Sequence, residues 1–187
     1  ADFARERGLR LRPHAKMHKS AELALLQMAH GAVGVCVQKT DEALALAHAG
    51  VRDIYISNEV IAPAKLARLA AALRDLPTRF AIAVDSALGI TRLAQALDAA
   101  GVHAPNAIDV FIEIDVGQGR CGVAPGEAAV PLARQIAQHP ALRFAGLQAY
   151  HGGAQHQRTL AERRVAIEGA TQAVVRSRDA LTAAGFS

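Results

Sequence analysis

Apolar residues in this chain recur with two different spacings, and the two alternate from one end to the other. Where every second residue is apolar and aliphatic or β-branched side chains dominate, strands are predicted: 9–16 (LRLRPHAK), 32–38 (AVGVCVQ), 52–58 (RDIYISN), 79–86 (RFAIAVDS), 108–116 (IDVFIEIDV) and 143–151 (RFAGLQAYH). Between them the spacing lengthens to three and four residues, which predicts helices over 20–30, 41–48, 63–76, 90–100, 125–138 and from about 159 to 184. Gly31, Gly50, Gly101 and Gly185 stand where helices end, and Pro63 and Pro125 stand near helix starts, where a missing N–H costs nothing. The opening ADFARERG reads as the last turns of a helix closed by Gly8, and LTAAGFS as another helix end, so a piece of a longer protein is expected.

Strands alternating with helices imply a parallel sheet, either open or closed into a barrel. Most of the predicted strands finish on polar or ionisable residues: His14 and Lys16, Gln38, Ser57 and Asn58, Asp85 and Ser86, Asp115, then Tyr150 and His151. A (βα)8 barrel builds its active site from such strand ends, whereas an open sheet concentrates function at one switch point. The expectation is therefore an α/β chain carrying about six βα units of a TIM barrel.

Composition narrows the class. Of 187 residues, 51% are hydrophobic and only 4% aromatic, with no Trp, so Ala, Val, Leu and Ile must fill the core. The formal charge of +4 comes from arginines scattered among acidic residues, as at Arg163 and Arg164 after Glu162, and no nucleic-acid partner is expected. No apolar run approaches the ~20 residues that span a bilayer. Cys36 and Cys121 are far apart and make no CxxC pair, which points to a reduced, cytoplasmic setting.

In LRLRPHAK, Leu9, Leu11, Pro13 and Ala15 would share one face of a strand, and Arg10, Arg12, His14 and Lys16 the other. A lysine facing into a barrel is costly unless something uses it. Two readings follow from the residues. Arg12, His14 and partial desolvation would favour a neutral Lys16 amine able to attack an aldehyde. Alternatively, Lys16 pairs with Glu113 or Asp115.

Gly117, Gly119 and Gly122 spell the dinucleotide fingerprint G-x-G-x-x-G directly after a strand. The context is wrong for it. The motif follows the fifth predicted strand, no acidic residue ends a strand ~20 positions later, and Pro125 delays the helix. The glycines suit another purpose, a tight turn that aims the Arg120 guanidinium back over the barrel mouth. The pairs His14–His18 and His151–His156 match no metal-binding motif, and no metal ligand is assigned within the chain.

Three ordered segments, RPHAKMHKS (12–20), EIDVGQGRCGV (113–123) and LQAYHGGAQH (147–156), together resemble the D-threonine aldolase and 3-hydroxy-D-aspartate aldolase family. That family is similar in its barrel to the alanine racemase N-terminal domain, fold type III of the pyridoxal-phosphate enzymes. The resemblance implies that Lys16 carries pyridoxal 5'-phosphate and that Arg120, Tyr150 and His151 lie at the cofactor. Gln38 is a further candidate contact, and Arg12 and His14 are expected behind Lys16. The implied activity is retro-aldol cleavage of a D-3-hydroxy amino acid, D-threonine or 3-hydroxy-D-aspartate, to glycine and an aldehyde. A D-serine or 3-hydroxyaspartate dehydratase and a non-catalytic pyridoxal-phosphate carrier remain alternatives on the same barrel. The resemblance also implies a divalent metal (Mg, Mn or Zn) held by a C-terminal β-rich domain absent from these residues, and a homodimer.

Overall fold

The computed structural model describes residues 2–186. Five strands form one parallel sheet: β1 (Val35–Val37), β2 (Asp53–Glu59), β3 (Arg79–Val84), β4 (Ile108–Glu113) and β5 (Leu142–Gln148), hydrogen-bonded in the order in which they occur along the chain. Helix α2 (Ala21–Ala29) leads into β1, and the intervening helices are α3 (Thr40–His48), α4 (Pro63–Asp75), α5 (Ala87–Ala99) and α6 (Ala129–Ala137). A short α1 (Asp2–Glu6) precedes them and α7 (Leu160–Ala183) follows. Because the strand order never reverses, right-handed crossovers place every connecting helix on the same face of the sheet. There is no switch point, and the arrangement is that of part of a (βα)8 barrel. Among the described residues no helix is long and apolar enough to cross a membrane.

Strand alternation sorts the two faces. Val35, Val37, Ile54, Ile56, Phe80, Ile82, Val84, Ile108, Val110 and Ile112 are buried outward, under the helices. The inward set is mostly polar or small, Cys36, Asp53, Tyr55, Ser57, Arg79, Ala81, Ala83, Asp109, Glu113 and Gln148, with the Phe111 ring packed on Tyr55 (5.0 Å between centres) among them.

The first expected strand is corrected. Residues 9–13 run beside β1, with the Val33 N–H donating to Leu11 O (3.0 Å) and the Cys36 N–H to Pro13 O (2.7 Å), but pairing shrinks to one bridge between His14 and Cys36. Pro13 has no N–H to donate. His14 Nδ1 then accepts the Lys16 N–H (3.2 Å), winding Ala15–Met17 into a 3-10 turn. Five regular strands therefore stand where six were expected. Two helix starts also move. Ser86 accepts the Gly89 N–H (3.2 Å) and begins α5 at Ala87. Pro125–Gly126 is a turn whose Gly126 N–H donates to Ser177 Oγ (2.8 Å), so α6 starts only at Ala129.

At the N-terminal end of the strands the interior is a ladder of alternating charge. Arg12 reaches Asp53 (2.5 Å), Arg79 reaches Asp53 (3.4 Å) and Asp109 (2.8 Å through Nε), and Arg143 reaches Asp109 (2.5 Å). Asp109 is buried, and a carboxylate there persists only because two guanidinium groups hold it. Arg12 thus belongs to this floor and not behind Lys16, where it was expected. Its path crosses Gly34. A Cβ at Gly34 would lie 2.5 Å from the Asp53 carbonyl oxygen and closer still to the Arg12 guanidinium. Since the carbonyl is backbone and cannot step aside, Gly34→Ala is expected to destabilise the fold by about 1–3 kcal/mol, as overpacking does. Urea unfolding of the two proteins measures it; equal midpoints would show that the Arg12 crossing is not a close contact.

Candidate active site

The C-terminal ends of the strands surround a cavity lined by His14, Lys16, Cys36, Gln38, Tyr55, Ser57, Asn58, Arg120, Gln148 and Tyr150. Of the residues expected at a cofactor, Lys16, Gln38, Arg120 and Tyr150 are brought together here, with His14 beside them. His151 does not line the cavity. It packs under the loop after β4, where a Cβ at Gly117 would sit 3.4 Å from its Nε2.

Lys16 is exposed at the lip of the cavity, on the 3-10 turn and not on the inner face of a strand. It makes no ion pair among the described residues, with Glu113 and Asp115 included. The turn that carries it is fixed by His14. Burial and the Lys16 charge hold the His14 imidazole below its usual range, so it is neutral near pH 7. With Nδ1 accepting the Lys16 N–H, the proton is assigned to Nε2, which faces Ser57 Oγ at 3.4 Å; Ser57 in turn donates to Val37 O (3.2 Å).

The loop after β4 brings in the arginine. Gly117, Gly119 and Gly122 all have φ in the left-handed region, at 117°, 67° and 99°. A Cβ at Gly122 would lie 2.6 Å from the Asp115 nitrogen, so only glycine lets the loop fold back on its own strand. Asp115 Oδ1 gathers the N–H groups of Gly117 (2.9 Å), Gln118 (3.0 Å) and Gly119 (3.0 Å), and these donors hold its carboxyl below the ordinary range. The Val123 N–H donates to Glu113 O (3.0 Å) and closes the loop. Arg120 then extends over the cavity, with its guanidinium carbon 5.4 Å from the Tyr150 ring centre and Nη2 3.8 Å from Glu113 Oε1.

Behind Arg120 lies a chain of buried polar side chains that strand pattern does not single out. The Tyr55 hydroxyl donates to Gln148 Oε1, and Gln148 Nε2 donates to Glu113 Oε2 and to Ser57 O (3.4 Å). Both ends of the amide are thereby assigned. Burial raises the Tyr55 phenol, so it stays a donor, and raises the Cys36 thiol. Burial and the facing Glu59 carboxyl push Glu113 up to about 8. Glu59, Asp85 and Cys121 each bring a donor atom within 4.8 Å of the other two, the one such trio found among the described residues. Its atoms are engaged locally: Asp85 accepts the Gly122 N–H (3.1 Å), and Glu59 faces both Glu113 and the Cys121 thiol.

Comparison with known proteins agrees with this geometry. Residues 4–185 match the family described as alanine racemase, N-terminal domain. The D-threonine aldolase of an Arthrobacter species is 50% identical over 153 residues, covering 82% of this chain and 39% of that protein. The 3-hydroxy-D-aspartate aldolase of Paracoccus denitrificans (strain Pd 1222) is 40% identical over 187 residues, 100% of this chain and 47% of its own length. The crystal structure of D-threonine aldolase from Filomicrobium marinum superposes with a TM-score of 0.94 at 43% identity, covering 100% of this chain and 48% of that one. The chain thus spans less than half the length of each of these proteins. With a family match across nearly all of its residues, this chain belongs to the alanine racemase N-terminal domain family of fold type III pyridoxal-phosphate proteins and is related to the D-threonine and 3-hydroxy-D-aspartate aldolases.

Proposed function

We propose that this chain is the cofactor-binding half of a pyridoxal-phosphate lyase that cleaves D-3-hydroxy amino acids, D-threonine or 3-hydroxy-D-aspartate, to glycine and an aldehyde. The observation that carries the reading is the placement of Lys16: an amine with no carboxylate partner among the described residues, at the lip of a cavity that also holds Arg120 and Tyr150. Pyridoxal phosphate fits this set of groups. The amine can bond its aldehyde, the guanidinium suits its phenolate oxygen or a substrate carboxylate, and Tyr150 offers a ring face. When bound, the cofactor supplies an electron sink for the cleavage of the carbon–carbon bond.

The chain's own residues do the positioning. His14 holds the Lys16 turn by its Nδ1 and, being neutral, adds no positive charge to compete with Lys16 or Arg120. Tyr55 and Gln148, each hydrogen-bonded away from water, present fixed dipoles beneath the cavity. His151 supports the Gly117 loop and acts on the site through Arg120. Gln38, at the end of β1, is placed to touch cofactor or substrate.

A divalent cation belongs to the proposal, with its ligands assigned outside this chain. In the trio of Glu59, Asp85 and Cys121 the aspartate already accepts the Gly122 N–H, no imidazole is present, and the set is given no catalytic step. The remaining phosphate-binding loops, a β-rich second domain and a homodimer are likewise assigned to the parts of the relatives that this chain does not span. The small-molecule substrate is the one partner proposed, with neither nucleic acid nor membrane involved.

Incubation with pyridoxal phosphate followed by borohydride reduction should leave the pyridoxyl group on the peptide containing Lys16, and Lys16→Ala should lose it. A label on Lys19, Lys39 or Lys65 in the unsubstituted chain would overturn the assignment. In the whole enzyme, glycine plus an aldehyde is the expected product pair, whereas a keto acid with ammonia would mean a dehydratase.

The loop that aims Arg120 makes a second, pH-dependent expectation. Because folding lowers the Asp115 carboxyl, its stabilisation is present above the ordinary carboxylate range and is lost as pH falls through the lowered value. Asp115→Ala should therefore cost about 1 kcal/mol near neutral pH, by analogy with a lost helix cap, and the difference should vanish in acid. Amide exchange at Gly117, Gln118 and Gly119 should quicken in the variant. A deficit that persists unchanged into strong acid would rule out the carboxylate as its source.

A further inference from the structure

Two carboxyl groups meet in the barrel interior, and the proposed reaction uses neither. Glu113, on β4, has a side chain only 3% exposed. Glu59 closes β2, where an irregularity in the register sets it opposite Ala83 of β3. Between β2 and β4, Ala83 on the inner face of β3 carries only a methyl, which leaves room for the two longer side chains to meet. Glu59 Oε1 is buried with no N–H or O–H donor reaching it, although buried polar atoms nearly always have a partner. The Glu113 and Glu59 side chains face each other, and Glu113 Oε2 is already taken by Gln148 Nε2. Two ionised carboxylates cannot stay in that arrangement at modest cost, and one proton between them removes both the repulsion and the orphaned oxygen.

We infer that Glu59 and Glu113 share a single proton, and that this pair is the positioning device that fixes the Gln148 amide and draws the Arg120 guanidinium across the cavity. The charge around the pair fits one net negative charge. Arg120 is the cation beside it, at 3.8 Å from Glu113 Oε1. The neighbours from the other elements are the Tyr55 phenol on β2, Asp85 at the end of β3, the Cys121 thiol on the loop and the neutral Gln148 on β5. One shared negative charge balances Arg120, whereas two would overcompensate it beside Asp85. Gln148 reads the pair directly. Its Nε2 donates to Glu113 Oε2, which leaves Oε1 for the Tyr55 hydroxyl, so removal of Glu113 frees the amide to flip. The functional meaning of the pair rests on the proposed cofactor site, but its existence does not.

Infrared spectra of the chain without cofactor test it. A protonated carboxyl band should persist at neutral pH, where ordinary carboxylates are ionised, and should be absent from both Glu113→Gln and Glu59→Gln, each of which leaves one carboxyl facing a neutral amide. The side-chain amide signals of Gln148 should shift with pH through the same transition and lose that shift in either variant, which a merely structural role would not produce. Stability follows with a defined sign. A carboxyl raised by folding contributes stability that is complete below its unfolded value and lost as pH rises through its folded one, here about 8. The unsubstituted chain should therefore lose melting temperature relative to Glu113→Gln over that interval. No band at neutral pH, or a band that survives both substitutions, would overturn the inference. So would displacement of the band by one equivalent of Mn²⁺ or Zn²⁺ whose binding both variants lose, because a cation would then occupy the proton's place. If the band behaves as expected while Lys16 fails to take the pyridoxyl label, the cofactor reading falls and the proton-sharing pair stands.

Discussion

Every helix connecting the strands packs on the same side of the sheet, so the opposite face has to satisfy its polar groups without helical cover. That constraint organises the rest of the molecule. Inward-pointing residues sit one above another along the strands, and each level meets its own electrostatic need. At the floor the need is met by alternation: Arg12, Asp53, Arg79, Asp109 and Arg143 run in sign order across the sheet, and the buried Asp109 is held from both sides. Such a ladder adds little to stability over an apolar layer of equal volume, since desolvation offsets most of the attraction. What it fixes is register, because a strand slipped by one residue would set an aliphatic side chain against a guanidinium.

The mouth of the barrel works differently, and its geometry depends on backbone that leaves the regular ladder. Lys16 reaches the cavity because Pro13 ends the pairing beside β1 and His14 captures the next amide. Arg120 reaches it because three glycines turn the chain around Asp115. Neither cation comes from a strand interior, where its orientation would be set by alternation alone. Both ride on turns held by a single polar side chain, and precision at the site rests on those two local anchors.

How much of this could be read from the sequence follows the same division. The strands from 52 to 116 were legible because alternation there is strict, and their outward residues are the buried core. The glycine spacing around Arg120 was legible as a turn, and three left-handed glycines make it. The segment 9–16 misled because its alternation is real while its hydrogen bonding is not: a proline and a histidine side chain override the pattern, which also carried Arg12 to the floor. Helix α6 starts late because Ser177, far along the chain, takes the Gly126 amide, and no local window contains that partner. The chain of Tyr55, Gln148, Glu113 and Glu59 escaped for a similar reason. It joins three strands across an alanine, through a register irregularity that is a property of the folded sheet.

The two ends of the interior also differ in what they leave unsatisfied, and this bears on where an anionic cofactor would settle. At the floor Arg79 and Arg143 converge on Asp109, so the cationic charge is answered by buried carboxylate. At the mouth Lys16 has no carboxylate partner among the described residues, and Arg120 stands 3.8 Å from a carboxyl that its neighbour keeps from full ionisation. What distinguishes the C-terminal ends of the strands is therefore an available amine and guanidinium lining a cavity, even though arginines are more numerous below. A phosphorylated aldehyde would be retained at the mouth by that amine, which no carboxylate among the described residues occupies. Charge pairing on the floor thus does more than fix register: it commits the Arg12, Arg79 and Arg143 guanidinium groups to protein carboxylates, whereas the Lys16 amine at the mouth stays open to a ligand.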